Sequence, residues 1–422
     1  MESDATAPTT PLAAFCRALP KAELHAHLSG CVRPATLAEL LAAADGGADA
    51  GAAAAVRAAL ASAAPSGARS LSDCFRVFAL VHRALRDAAA VRRVTREAIH
   101  DAARDGVAYL ELRTTPRPLT ASPADGAAGA SSLAAYVDAV VGEIAAVEAH
   151  CGLGVVVRLL LSVDRATATP AVAAETVELA TRYARERVRV AAATACAECG
   201  RGGGAPAPSP SPPAPPPASW GGPYVVGLDL SGDPTRGDAA ALLPVLQRAR
   251  EPAAGGLRVS VHCGEVMNAI ETAAVLDWAP DRLGHMCLLS PPTVERLLAA
   301  PPARRTPIEV CPASNALTLR LPSLHHHPTL QPWLRAGYPL VLCTDDPGVF
   351  GVSLSGEYAD VAAACGLSRR QLAALALAGF QHAFADAATK AALMAGAAAA
   401  IGGLLAAEAA AGRGVDDDEH AT

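Results

Sequence analysis

Eight short apolar runs, spaced by longer stretches of helical character, constrain this chain more than any other feature of it. In order they are AELHAHL (22–28), VAYLELR (107–113), VVVRLLLSV (155–163), YVVGLDL (224–230), LRVSVHC (257–263), RLGHM (282–286), PIEVC (307–311) and PLVLC (339–343). Strands buried on both faces read as near-continuous apolar runs, and alternation with helix-like stretches such as Asp138–His150 and Ala171–Arg187 implies parallel βα units. Eight such units close a (β/α)8 TIM barrel, and barrels of this kind exceed the usual domain size as one unit. An open doubly wound sheet is the alternative, but it would gather polar residues at a single crevice. Here polar residues recur at the carboxyl ends of most runs, which favours the barrel.

We therefore read one α/β domain over 13–410. Within it, GRGGGAPAPSPSPPAPPP (200–217) is low-complexity and reads as an insertion on the approach to the fourth strand. Residues 1–12 and the tail 411–422, with Asp416, Asp417, Asp418 and Glu419, are expected to be disordered. The formal net charge of −6 argues against nucleic-acid binding while leaving room for a local phosphate pocket. MESDATAPTT lacks a basic start followed by an apolar run, and the alanine-rich stretch 52–64 contains Arg57 and reads as a soluble helix. No membrane span is expected. Eleven cysteines, an odd number without framework spacing, point to a reducing compartment, so a cytoplasmic protein is expected. A monomer is expected as well.

The chemistry sits at the run ends. His25 and His27 are two apart on the first strand, so both imidazoles face the same side and can share a metal. The fifth run ends in His262-Cys263-Gly264-Glu265, the sixth carries His285, and the eighth ends in Thr344-Asp345-Asp346. Two adjacent carboxylates repel unless a cation is close, and three imidazoles with one carboxylate suffice for a single metal with room for a water. Such an ion lowers the pKa of its water toward neutrality and supplies a nucleophile. Glu265, His285 and Asp346 are then free for proton transfer and orientation. Taken singly, each has a plainer reading: a satisfied core histidine, or an Asp-Asp turn. Their common place at the catalytic face of a barrel is what those readings leave unexplained. Cys196 and Cys199 form a CxxC without a second pair, and His325–His327 reads as an exposed loop.

These segments, LPKAELHAHLSG, VHCGEV, RLGH, EVCPASN and CTDDPGVFG, closely resemble the adenosine deaminase family of metal-dependent amidohydrolases. The resemblance runs from the first strand to the loop after the eighth. It implies one zinc ion per chain held by His25, His27, His262 and Asp345. It further implies that Glu265 protonates the purine ring nitrogen, His285 assists deprotonation of the water, and Asp346 aims it at carbon six. Gly232, in LDLSGDP, matches a glycine whose backbone contacts the purine. The fourth strand carries no lysine, which the resemblance ties to a single metal.

Within that family LSDCFRVFALVH (71–82), YLELRTTPRP (109–118) and TDDPGVFGVSLSGEY (344–358) resemble the adenosine deaminase-like branch, which acts on N(6)-methyl-AMP and related nucleotides. The expected reaction is N(6)-methyl-AMP to IMP plus methylamine, with adenosine deamination as the alternative and a non-catalytic barrel as the remaining one. Arg117 offers a donor fork suited to a phosphate. His82, Thr114 and Thr115, with Pro116 between them and Arg117, complete the expected phosphate side, and Asp164 would accept from the ribose or orient Arg117. His27 and Asp346 also face the substrate in this reading. Ser29 stands where the branch carries asparagine and adenosine deaminases aspartate, Met286 stands where small residues are common, and Cys263 and Pro347 follow the adenosine deaminase form.

Overall fold

Every one of the eight apolar runs is a strand, and none is displaced from its expected position by more than two residues at either end. The computed structural model describes residues 10–44, 51, 54, 56, 71–120, 132–186, 223–252 and 255–414. The strands are β1 (Lys21–His27), β2 (Val107–Thr114), β3 (Val156–Asp164), β4 (Val225–Ser231), β5 (Arg258–Cys263), β6 (Arg282–His285), β7 (Ile308–Val310) and β8 (Leu340–Leu342). They form one parallel sheet in sequence order, so each neighbours the next, as a singly wound barrel demands. An isolated parallel bridge after β8 closes the barrel onto β1. Asp345 N donates to His25 O and His27 N to Asp345 O, both at 2.9 Å.

Strand parity sorts the side chains. Leu159, Leu161, Val163, Leu228, Leu230, Val259 and Val261 join the apolar core shared with the surrounding helices. Their neighbours Ser162, Asp229, Ser260 and His262 join the polar contacts of the interior instead. Helices begin where sequence caps them: Ser132 before Leu133–His150, Thr169 and Pro170 before Pro170–Tyr183, and a capping box from Ser368 and Gln371 before Arg369–Gln381.

Two boundary expectations change. Thr10 caps a helix over Pro11–Ala18, so the chain is already ordered inside 1–12. At the other end Arg413 pairs with Glu408, and Arg369 donates to Gly414 O, which ties down the start of 411–422. The helix Ala387–Ala410 is long and apolar enough by composition to cross a membrane, which sequence reading had not singled out. Here it packs Leu393, Ala397 and Ile401 against the barrel wall. The low-complexity insertion 200–217, Cys196, Cys199 and most of the alanine-rich stretch 52–64 lie outside the described residues.

Candidate active site

The carboxyl ends of the strands open into a cavity of about 440 Å³, within the range of small-molecule sites. At its floor three imidazole Nε2 atoms and a carboxylate converge. His25 Nε2 is 3.0 Å from His262 Nε2, which is 3.2 Å from His27 Nε2. Asp345 Oδ1 lies 3.5 Å from His25 Nε2 and 3.4 Å from His27 Nε2.

Hydrogen-bond logic shows what these atoms lack. His25 Nδ1 donates to Glu309 Oε2 at 2.6 Å, and His262 Nδ1 stands 3.1 Å from Asp229 Oδ1. Carboxylates only accept, so both protons are on Nδ1 and two Nε2 lone pairs face each other across 3.0 Å. That contact is repulsive unless a cation lies between. Four ligands held about 2.0–2.2 Å from zinc in a tetrahedron stand roughly 3.3–3.6 Å apart, close to the spacing found here. Ser314 Oγ donates to Asp345 Oδ2 at 2.7 Å, leaving Oδ1 to face the imidazoles. The residues present therefore fit the metal that the sequence implies.

Beneath them lies an ionic layer whose members sequence reading did not find. Arg113 donates to Asp229 and to Glu309, both at 2.9 Å, and Arg282 pairs with Glu309 and Glu111. All five side chains are buried. Burial alone would raise the carboxyls. Arg113, joined by Arg282 at Glu309 and by His262 at Asp229, outweighs it and holds both well below the ordinary carboxylate range. The anions that orient His25 and His262 are thus themselves held in place.

The proton-transfer candidates line the cavity. Burial pushes the Glu265 carboxyl up to about 7, and its Oε1 lies 3.7 Å from His285 Nε2. His285 has φ of 64°, Asp345 the same, and Met286 52°. Such left-handed geometry is costly for residues with a Cβ, and it ends the strand alternation at the ring of His285 and the carboxylate of Asp345. Asp346 Oδ1 is buried with no hydrogen-bond partner among the described residues. Gly30 explains its position, because a Cβ there would fall 1.8 Å from Asp346 Oδ1.

The substrate-side expectations divide. His27, Ser29, His82, Thr115, Arg117, Asp164, Gly232 and Asp346 all line the cavity. Gly232 has φ of 99°, and a Cβ on it would meet Asp164 Oδ1 at 2.0 Å. Thr114 and Pro116 do not line it. Thr114 points out of the barrel, where its hydroxyl meets Tyr136 at 2.7 Å, and Pro116 is buried in the loop. Strand parity foretold this, since Arg113 faces inward and its neighbour must not. Asp164 uses Oδ1 to accept from Ala166 N and Oδ2 from the Thr167 hydroxyl, so it shapes its own turn. Arg236, which sequence reading missed, joins Arg117 in the cavity wall, as do Phe78 and Phe350. A second cavity of about 310 Å³ lies between β1, β2 and the helix Ala88–Arg104 and holds none of the imidazoles.

Fold and site together define a metal-dependent barrel hydrolase, and the chain matches the family model for adenosine deaminase over residues 20–206 and 222–400. It belongs to the adenosine deaminase family. It is 35% identical over 394 residues to the N6-mAMP deaminase of Arabidopsis thaliana, spanning 88% of this chain and 94% of that one. It is 33% identical over 358 residues to the N6-methyl-AMP deaminase of Danio rerio, spanning 84% and 87%. The crystal structure of Arabidopsis ADAL complexed with IMP superposes with a TM-score of 0.71 at 33% identity, covering 92% of this chain and 99% of that one.

Proposed function

We propose that this protein is a zinc-dependent hydrolytic deaminase of 6-substituted purine nucleotides, converting N(6)-methyl-AMP and water to IMP and methylamine. One observation carries the reading: three imidazole Nε2 atoms and Asp345 Oδ1 converge on the floor of a cavity whose wall also holds Arg117 and Arg236. The names of the relatives and the IMP bound to the Arabidopsis structure support the nucleotide. His25, His27, His262 and Asp345 would hold the zinc. When bound, zinc supplies a water acidified toward neutrality as nucleophile.

The chain's own residues do the rest. Glu265, protonated at the onset because burial lifts its pKa, gives its proton to the ring nitrogen beside carbon six. That proton makes carbon six electrophilic. Asp346 aims the attacking oxygen with its unpartnered Oδ1. Gly232 lets the purine approach the backbone after β4. We propose a monomer as the working unit. The eight cysteines of the described residues are free thiols, which supports a cytoplasmic setting.

Arg117 tests the nucleotide. Its guanidinium stands over Tyr136 at 5.5 Å, and its Nε is buried without a hydrogen-bond partner among the described residues. Charge-assisted hydrogen bonds to phosphate contribute about 1.5–3 kcal/mol. Arg117→Ala should therefore lower kcat/KM for N(6)-methyl-AMP by roughly ten- to hundredfold and leave a nucleoside nearly unaffected. Equal losses for both would make Arg117 structural.

A further inference from the structure

His327 is buried rather than part of an exposed loop, and nothing above uses it. Its Nδ1 accepts the backbone N–H groups of Thr329 at 3.4 Å and Leu330 at 3.1 Å, at the start of the helix Leu330–Arg335. A ring nitrogen that accepts carries no proton, so the proton of His327 is on Nε2. Nε2 lies 3.3 Å from Asn315 Oδ1, with Cys287 Sγ a weaker acceptor at 3.8 Å. The Asn315 oxygen therefore accepts. Its amide NH2 is then turned toward His285 Nδ1, 3.0 Å away. That nitrogen must accept in turn, which leaves the proton of His285 on Nε2. This last atom is buried, lines the cavity side of the ring and has no hydrogen-bond partner among the described residues.

Each direction in this chain follows from the one end that has no choice, the two backbone donors at residues 329 and 330. We propose that His327 is a positioning residue which, through Asn315, locks His285 in the Nε2–H tautomer, so that His285 meets the attacking oxygen as a hydrogen-bond donor. His285 then does not deprotonate the water, as the sequence had led us to expect. The oxygen lone pair bonds to carbon six as the water's proton passes to the Asp346 carboxylate. The π pair between carbon six and the ring nitrogen moves onto that nitrogen, which takes the Glu265 proton, while the Nε2–H holds the oxygen in place by donating to it. As the carbon–amine bond breaks, methylamine takes the Asp346 proton and the oxygen's remaining proton returns to Glu265. The inference deepens the deaminase reading and rests on it for the identity of the attacking group. The tautomer itself does not depend on turnover.

The test is histidine-selective ¹⁵N NMR on the zinc-loaded protein without substrate, with His285 assigned from the signals lost in His285→Gln. The proposal expects an unprotonated Nδ1 and a protonated Nε2 on His285 at neutral pH. The opposite pattern in the wild type overturns it, whatever the activity. Asn315→Asp presents an acceptor to both rings and should reverse the tautomer. His327→Leu removes the donor and should lower kcat by roughly ten- to hundredfold with KM little changed, the scale of lost support behind a site residue. His327→Gln keeps one acceptor and one donor and should restore kcat to within a few-fold of wild type. Zinc content and thermal unfolding are read on each variant. If His327→Leu does not fold, the wild-type spectrum and Asn315→Asp still decide. An unchanged tautomer and an unchanged kcat in folded His327→Leu would also overturn the proposal.

Discussion

Glu265 shows how one side chain acquires its task from its surroundings. It lies three residues beyond His262, where the chain leaves β5, half-buried in the cavity wall. Burial lifts it from 4.5 to about 7. Because the protonated form of Glu265 is the active one, it sets the alkaline limb of the profile, and kcat/KM should fall tenfold per unit above about pH 7 as the folded enzyme loses that proton. Glu265→Gln keeps the shape and cannot donate. It should bind zinc and ligand while kcat falls roughly a hundred- to ten-thousandfold. Turnover within a few-fold of wild type, measured over pH 5–9, would remove Glu265 from that role. The metal set was legible at this scale because its spacing is chemical: two imidazoles on one strand face, HCGE and TDD at strand ends. Asn315 and His327 were not legible. EVCPASN stands out as a segment, but nothing local in it shows that the Asn315 amide joins two rings 30 and 12 residues away.

At the scale of the element, the barrel interior is a stack of charge beneath the site. β7 is only three residues long, yet Glu309 on it accepts from His25 and from Ser260 and pairs with both Arg113 and Arg282. Glu309→Gln would leave two buried guanidiniums sharing too few anions. Removing one partner from such a network costs about 3–5 kcal/mol, and losing the anion behind a ligand histidine weakens metal affinity roughly ten- to hundredfold. Urea unfolding and chelator competition would measure the two losses, and finding neither would show that the layer is not what holds His25. Strand positions could be read because buried parallel strands must be apolar runs. The charged layer could not, since Glu309 and His25 lie 284 residues apart and only closure brings them together. Strand parity is the sequence signal that puts Thr114 outside the barrel and Asp229 inside it.

At the scale of the whole molecule, the described chain resumes at Pro223 beside the amino end of β4, opposite the face where His25, His262 and Asp345 meet. Deleting 200–217 should therefore leave kcat and the unfolding midpoint nearly unchanged, because loop closure depends only weakly on length. A large loss of activity in a stable deletion variant would assign that segment a part in the reaction. The helix Ala387–Ala410 makes the complementary point. Its composition alone would suit a bilayer, and its contacts with Arg369–Gln381 and the barrel wall show the packing that composition cannot report. In the function we propose, the molecule as a whole discriminates in favour of a nucleotide with a substituted amine at carbon six. The most direct measurement is kcat/KM of the zinc-loaded protein for N(6)-methyl-AMP, AMP and adenosine at constant ionic strength, with products identified. The account predicts the highest value for N(6)-methyl-AMP, with IMP and methylamine formed in equal amounts. A higher value for adenosine than for both nucleotides, or no turnover of any of the three by protein carrying zinc, would contradict it.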